Sequence, residues 1–168
     1  MAKRQILKDN ELPHLESEVE IDPKVYNEVA RCARILSVQL IDSSFSVAPS
    51  FFDEDYEAIH GVDFSEVHAS FNDTSRISTC IFQLEAFKKK GRRKVFQQKD
   101  RFIVYYNIST DCDASHAIAF TKKVGLMACY PYFRAHVAST ASLANAEIPI
   151  LPTISAMPVK GKIKKEGT

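Results

Sequence analysis

The chain has 168 residues, 45% of them hydrophobic and 26% charged, an ordinary composition for one soluble globular domain. Lys and Arg number 22 against 21 Asp and Glu, a formal charge of +1 that excludes both the overall basic field of a dedicated nucleic-acid binder and the acidity of a disordered acidic chain. No apolar run approaches the roughly 18 residues of a membrane span, and no apolar stretch follows the basic start, so a cytoplasmic protein with no membrane partner is expected.

Residues 1–21 alternate charges with isolated Ile and Leu, include Pro13, and predict a flexible N-terminal arm. Asp22-Pro23 then opens a helix over about 23–34, with Asp as N-cap and Pro at the first helical position. From Ile35 a strand runs to Val47, and its apolar phase changes at Leu40-Ile41, which predicts a bulge or sharp twist. A second strand carries Val62, Phe64, Val67, Ala69 and Phe71, again with a change of phase, and closes at the turn-forming Asn72-Asp73-Thr74-Ser75. In the third, Ile77 to Phe87, the residues Cys80, Phe82, Leu84 and Ala86 share one face. The run Lys88-Lys89-Lys90-Gly91-Arg92-Arg93-Lys94 forms a hairpin tip leading to the fourth strand, where Phe102, Val104, Tyr106 and Ile108 oppose Arg101, Ile103, Tyr105 and Asn107. Connections of hairpin length between consecutive strands imply an antiparallel sheet.

After Asp113 the period becomes helical, with Ala117, Ile118, Thr121, Val124, Gly125 and Ala128 on a stripe. Pro131 removes a backbone hydrogen bond, so the helix either kinks there or a second one begins and runs to about Leu143, with Asn145 as a left-handed terminator. Ile148-Pro149-Ile150-Leu151-Pro152 is too apolar for a solvated loop and is expected to lie against a surface. A single domain over 22–155 results, α+β in class, followed by a basic tail, 156–168, expected to be disordered.

Chemistry-bearing clusters are sparse. Four well-separated cysteines, Cys32, Cys80, Cys112 and Cys129, make no C-x-x-C pair and are expected as free, mostly buried thiols. Cys112, Asp113 and His116 form the one compact group of catalytic types, but they supply too few ligands for zinc and read as a capped helix start. His14, His60, His68 and His136 have no ligand partner at metal spacing. No dinucleotide, P-loop, metalloprotease or nucleophile-elbow motif occurs, and neither cofactor nor catalytic activity is expected. The hairpin tip concentrates six positive charges in seven residues, a density that could meet phosphates, though the tip carries no aromatic residue to stack bases and reads first as a solvated turn. Eleven Phe and six Tyr without Trp require many rings to pack on strands or bind something. Tyr130-Pro131-Tyr132-Phe133 and the apolar connector suit an extended polypeptide held by hydrophobic contact, or the closing of a core or subunit interface.

Tyr130-Pro131-Tyr132-Phe133-Arg134-Ala135-His136-Val137, continuing through Ser139 and Leu143 into Ile148-Pro149-Ile150-Leu151-Pro152, resembles the SecB chaperones, with their aromatic-Pro-Tyr-x-Arg helix and Pro/Leu-rich connector. Val38 to Pro49, ending Phe45-Ser46-Val47-Ala48-Pro49, is similar to that family's first strand, and order and spacing agree over residues 35–153. The resemblance implies a four-stranded antiparallel sheet with a long C-terminal helix, here with an extra N-terminal helix, assembled as a homotetramer of paired dimers that holds unfolded polypeptide without ATP. It implies a client groove of Tyr130, Tyr132, Phe133, Ile148, Ile150 and Leu151, with Phe64, Phe82 and Phe102 from the sheet. The near-neutral charge, the basic end and the short stretch after Pro152 weigh against docking on the export motor SecA. The helix before the first strand and Ala156-Met157-Pro158-Val159 instead look like the SecB-like chaperones of toxin–antitoxin systems, whose client is an antitoxin and which act in stress response or phage defence. Protein export and nucleic-acid binding through residues 88–94 are the alternative functions.

Overall fold

The computed structural model describes residues 21–53 and 58–153. The expected N-terminal arm, apart from Ile21, and the expected basic tail lie outside the described residues. Helix α1 (Pro23–Cys32) begins as its sequence requires: Asp22 accepts a hydrogen bond from the Lys24 N–H at 2.8 Å and Pro23 fills the first turn. It ends two residues before the expected boundary, because Ala33 is already extended and starts β1 (Ala33–Val47) with no intervening loop. A 3₁₀ turn, Pro49–Phe51, follows, then β2 (Ala58–Asn72), β3 (Ile77–Lys90), β4 (Arg93–Ile108) and α2 (Ala114–Leu143).

All pairings are antiparallel and the strand order is β1-β4-β3-β2. The β2–β3 and β3–β4 links are hairpins, and Gly91 takes the left-handed conformation (φ 57°) that the second of these turns needs. The β1–β2 link is different. Instead of a hairpin it crosses one end of the sheet, so β1 and β2 occupy opposite edges. Both phase changes seen in the sequence are register shifts: Ile41 is the extra residue between Leu40 and Asp42, and Val67 the extra one between Glu66 and His68. A third shift, at Leu36, stands between Ile35 and Ser37.

One face of the sheet is covered by α2. Cys80, Phe82, Leu84 and Ala86 of β3 and Phe102, Val104, Tyr106 and Ile108 of β4 are buried against it, while their odd-numbered neighbours form the other face. The buried residues of α2 include Ala117, Thr121, Gly125, Cys129, Phe133, Val137 and Ala141, spaced strictly by four. Four residues overshoot one helical turn by roughly 40°, so this stripe winds around the helix and lets it follow a twisted sheet. Near its start Thr121 Oγ1 lies 2.7 Å from Ser78 Oγ of β3. At its middle Gly125 passes over Phe82 and Val104, and near its end Thr140 Oγ1 donates to Gln98 Oε1 of β4 at 3.0 Å.

Pro131 does not divide the helix, which runs unbroken for 30 residues. The carbonyl deprived of a partner belongs to Met127, and both Met127 and Pro131 lie on the exposed side of the helix, where the lost bond costs least because the carbonyl is open to solvent. The helix ends on Asn145 in the left-handed region (φ 52°), with the Ala146 N–H donating to Ala141 O at 2.9 Å and the Asn145 N–H to Ser142 O at 3.0 Å. That pair of bonds is a Schellman motif. α1 is tied to the start of α2: the Asp22 N–H donates to His116 Nε2 at 3.0 Å, and Tyr26 packs on Phe120. His116 Nδ1 in turn meets the N-cap Asp113, whose carboxyl the His116 and Ser115 hydrogen bonds hold well below the usual carboxylate range.

The four cysteines are free thiols. Cys80 and Cys129 are buried, and burial pushes both up to about 12. The thiolate is the reacting form, so at pH 8 iodoacetamide is expected to label the half-buried Cys32 and, more slowly because burial raises its thiol too, Cys112 in the native protein, and to reach Cys80 and Cys129 only after unfolding. Rapid native labelling of all four, counted by mass spectrometry, would contradict this packing.

Candidate functional site

Apolar surface left uncovered by the fold is concentrated in three places. The first is β1. Register places Ile35, Val38, Leu40 and Phe45 on the same sheet face as Tyr106, Val104, Phe102 and Gln98, yet α2 packs over β2, β3 and β4 and only grazes β1. Ile35, Leu36, Leu40, Ile41 and Phe45 are in consequence 37 to 55% exposed. The second place is the flank of α2 carrying Tyr132 and Leu143, which lie four residues before and seven after His136 and so share its side of the helix. Tyr132 is 58% exposed and Leu143 86%.

The third place is the connector after α2, and strand β2 carries further exposed residues of its own. Ile148 and Leu151 pack against the core, whereas Ile150 is 87% exposed. The connector returns along the helix, because Tyr130 donates its hydroxyl to the carbonyl of Pro152 at 2.7 Å. Burial raises the Tyr130 phenol above its ordinary value, with Arg134 partly offsetting it, so this hydroxyl stays a donor at neutral pH. Phe64, Val67 and Ile59 of β2 and Phe52 beyond the 3₁₀ turn are also exposed.

The nine residues implied for a client groove therefore divide. Ile150, Tyr132 and Phe64 are exposed; Ile148 and Leu151 are partly buried in the connector; Tyr130, Phe133, Phe82 and Phe102 are buried, at 0 to 3% exposure. Tyr130 and Phe133 pack on each other with ring centroids 6.2 Å apart, within the core. The apolar strip of β1 and Phe52 were not among the residues expected. Their signal in the sequence is the double apolar residues: Ile35-Leu36 and Leu40-Ile41 cannot both point inward from one strand face, and Phe51-Phe52 doubles the aromatic residue just after Pro49.

Beneath the α2 flank lies a polar cluster. Asp100 is fully buried; its Oδ1 accepts from Ser43 Oγ at 2.8 Å and from Gln98 Nε2, and its Oδ2 lies 2.8 Å from His136 Nδ1. The serine touches the carboxylate and not the imidazole, so the three groups do not form a nucleophile–base–orienter chain. Cys112 does not join His116 either. It lies beside Arg76, whose guanidinium also reaches the carbonyls of Ile108 and Thr110. Among the described residues no group of three metal-ligating side chains occurs, and no helix is long and apolar enough to cross a membrane.

A four-stranded antiparallel sheet in the order β1-β4-β3-β2, a long helix crossing one face, and a short helix before the first strand together make up the SecB-like fold. Among solved structures the chain is similar to the Mycobacterium tuberculosis Rv1957 SecB-like chaperone, determined in complex with a ChAD peptide from the Rv1956 HigA1 antitoxin. The TM-score is 0.62 at 16% identity, over 81% of this chain and 99% of that one. No protein-family model matches the chain, and no curated protein matches it in sequence.

Proposed function

We propose that this protein is an ATP-independent holdase chaperone that binds an unfolded or aggregation-prone polypeptide, and that its cognate client is the antitoxin of a toxin–antitoxin system. The observation that carries the reading is the exposed apolar surface on a fold shared with a chaperone solved with an antitoxin peptide in place. The mechanism is binding alone. Apolar side chains of an extended client leave water against Ile150, Leu151, Phe64 and the neighbouring surface, with about 25 cal/mol per Å² of apolar area as the driving term. By mass action the free client, which aggregates or is proteolysed, is depleted, and the toxin stays neutralised. Such a system acts in stress response or phage defence, in the cytoplasm.

Assembly belongs to the same proposal. The open edge and apolar flank of β1 suit a second copy of the chain, and pairing of such dimers makes the tetramer. Leu40→Asp places a charge in the middle of that strip at a position already 44% exposed, so the single chain tolerates it. Light scattering is expected to show Leu40→Asp as a folded monomer, while an unchanged native mass would remove β1 from the interface. The holdase activity is tested by following turbidity of an aggregating polypeptide without nucleotide: equimolar protein is expected to suppress it, and no suppression would reject the reading.

A further inference from the structure

The two helices meet at a histidine whose charge state is fixed by the contact itself. His116, in the first turn of α2, is 7% exposed. Its Nε2 accepts the backbone N–H of Asp22 at 3.0 Å, and its Nδ1 lies 2.5 Å from Oδ1 of Asp113, the N-cap of the same helix. A backbone amide can only donate and an ionised carboxylate can only accept. Nε2 therefore carries a lone pair and Nδ1 the proton, which makes the docked imidazole neutral.

Protonation would place a second hydrogen on Nε2, directly against the Asp22 N–H, so that two donors would face each other where one bond now holds α1. Asp113 does not offset this. Its carboxylate accepts also from the His116 N–H at 3.1 Å and from Ser115 Oγ at 2.7 Å, contacts that lie within one helix start and need nothing from α1. Attraction between carboxylate and imidazolium thus favours the proton equally with α1 docked or released, and the Asp22 bond alone distinguishes the two. The other ionisable groups at this corner are engaged elsewhere. The Asp22 carboxylate accepts from the Lys24 N–H at 2.8 Å, and Lys123 Nζ stands 5.7 Å from the centre of the Tyr26 ring. Arg76, with Cys112 beside it, turns to the carbonyls of Ile108 and Thr110, and from β3 the residue meeting this part of α2 is the uncharged Ser78.

We propose that His116 is an acid-sensitive latch between α1 and α2: neutral, it holds α1 on the start of α2, and protonated, it lets α1 go. The docked form binds one proton fewer than the released form, so docking is strongest at high pH and weakens as pH falls. Release uncovers a defined apolar surface. Val29 of α1 is fully buried, and Tyr26 of α1 lies on Phe120, which meets Tyr106 of β4 edge-on at 5.3 Å. Phe120 and Tyr106, each 5% exposed with α1 in place, then face water. The latch is independent of the holdase reading and stands whatever the protein binds.

The test is hydrogen exchange of peptides spanning α1, followed by mass spectrometry at about pH 7.5 and 5.5, either side of the range in which histidine changes charge, and corrected for the intrinsic effect of pH. In the wild type, exchange of α1 is expected to accelerate about tenfold at the lower pH, while peptides of β3 and β4 keep their protection. His116→Gln keeps an acceptor for the Asp22 N–H but does not titrate, so its α1 is expected to exchange at one rate at both values, with circular dichroism checking that the variant folds. Nitrogen-15 NMR of the wild-type histidines reads the tautomer without any substitution, and an unprotonated Nε2 on His116 is expected at the higher pH. A proton on that Nε2, or no acceleration in the wild type, would overturn the latch. Equal acceleration in wild type and His116→Gln would also overturn it, and assign the effect to the other imidazole paired with a carboxylate, His136 on Asp100. Acceleration of β3 and β4 together with α1 would mean general acid unfolding, and would overturn it equally.

Discussion

Replacing Ile150 and Leu151 together by Asp is expected to weaken capture of an unfolded polypeptide by about a hundredfold or more while leaving the native mass unchanged. Burying a large aliphatic side chain is worth about 1.5–3 kcal/mol, and two such contacts are lost. A carboxylate facing an apolar client adds a desolvation penalty that the original residues do not have. The two positions differ in a useful way. Ile150 is almost fully exposed and contributes little to the fold, so Ile150→Asp alone reports binding without a folding effect. Leu151 also packs on the core, and the hydroxyl of Tyr130 fixes the connector at Pro152 directly beyond it. Titration of labelled client against the single and double variants checks both. An affinity equal to wild type in the double variant would remove the connector from the binding surface.

Gly125→Val is the substitution expected to damage the fold most. A Cβ at this position would stand 2.7 Å from Cε2 of Phe82 and 2.8 Å from Cγ1 of Val104, closer than carbon atoms approach. Neither neighbour can withdraw: both are buried in the middle of the sheet, between strands paired on each side. Overpacking of this kind costs about 1–3 kcal/mol per insertion, and a branched side chain lies at the upper end. Since α2 crosses β3 and β4 at this residue, the loss is expected along the whole helix. Urea unfolding at matched protein concentration measures it, and a midpoint unchanged from wild type would mean that α2 does not meet the sheet at Gly125.

Much of this fold is local and therefore legible. Asp22-Pro23 and Asn145 mark helix ends because their backbone requirements are met within a few residues. The phase changes at Leu40-Ile41 and Val67 are bulges because a period of two admits no other way to keep apolar residues on one face. Alternation in β3 and β4 gives the buried face residue by residue. What was not legible depends on distant partners. The placing of β1 beside β4 is decided by how the link after Val47 crosses the sheet, and nothing in its own residues specifies that path. Asp100 and His136 are separated by 36 positions, so a strand carboxylate and a helix imidazole that meet at 2.8 Å look unrelated in sequence.

The site follows the same division. Apolar and aromatic residues mark candidate contact surface in the sequence, but which of them face water is settled by α2. The winding stripe turns Phe133 inward, with Tyr130 buried beside it, and leaves Tyr132 and the β1 strip uncovered. The basic hairpin tip is the clearest case of a motif whose meaning changes in three dimensions. Read alone, Lys88 and Lys90 are two of six exposed charges; in the fold they hold Phe51 and the backbone around it.

The central claim is that the protein captures unfolded polypeptide by apolar contact. Native mass by multi-angle light scattering, with and without one equivalent of chemically unfolded polypeptide and at low and high salt, tests it most directly. A tetramer-sized particle that gains the mass of the client and keeps it at high salt is the predicted result. No gain in mass, with co-purifying nucleic acid released at high salt, would contradict it and move the function to the charged hairpin.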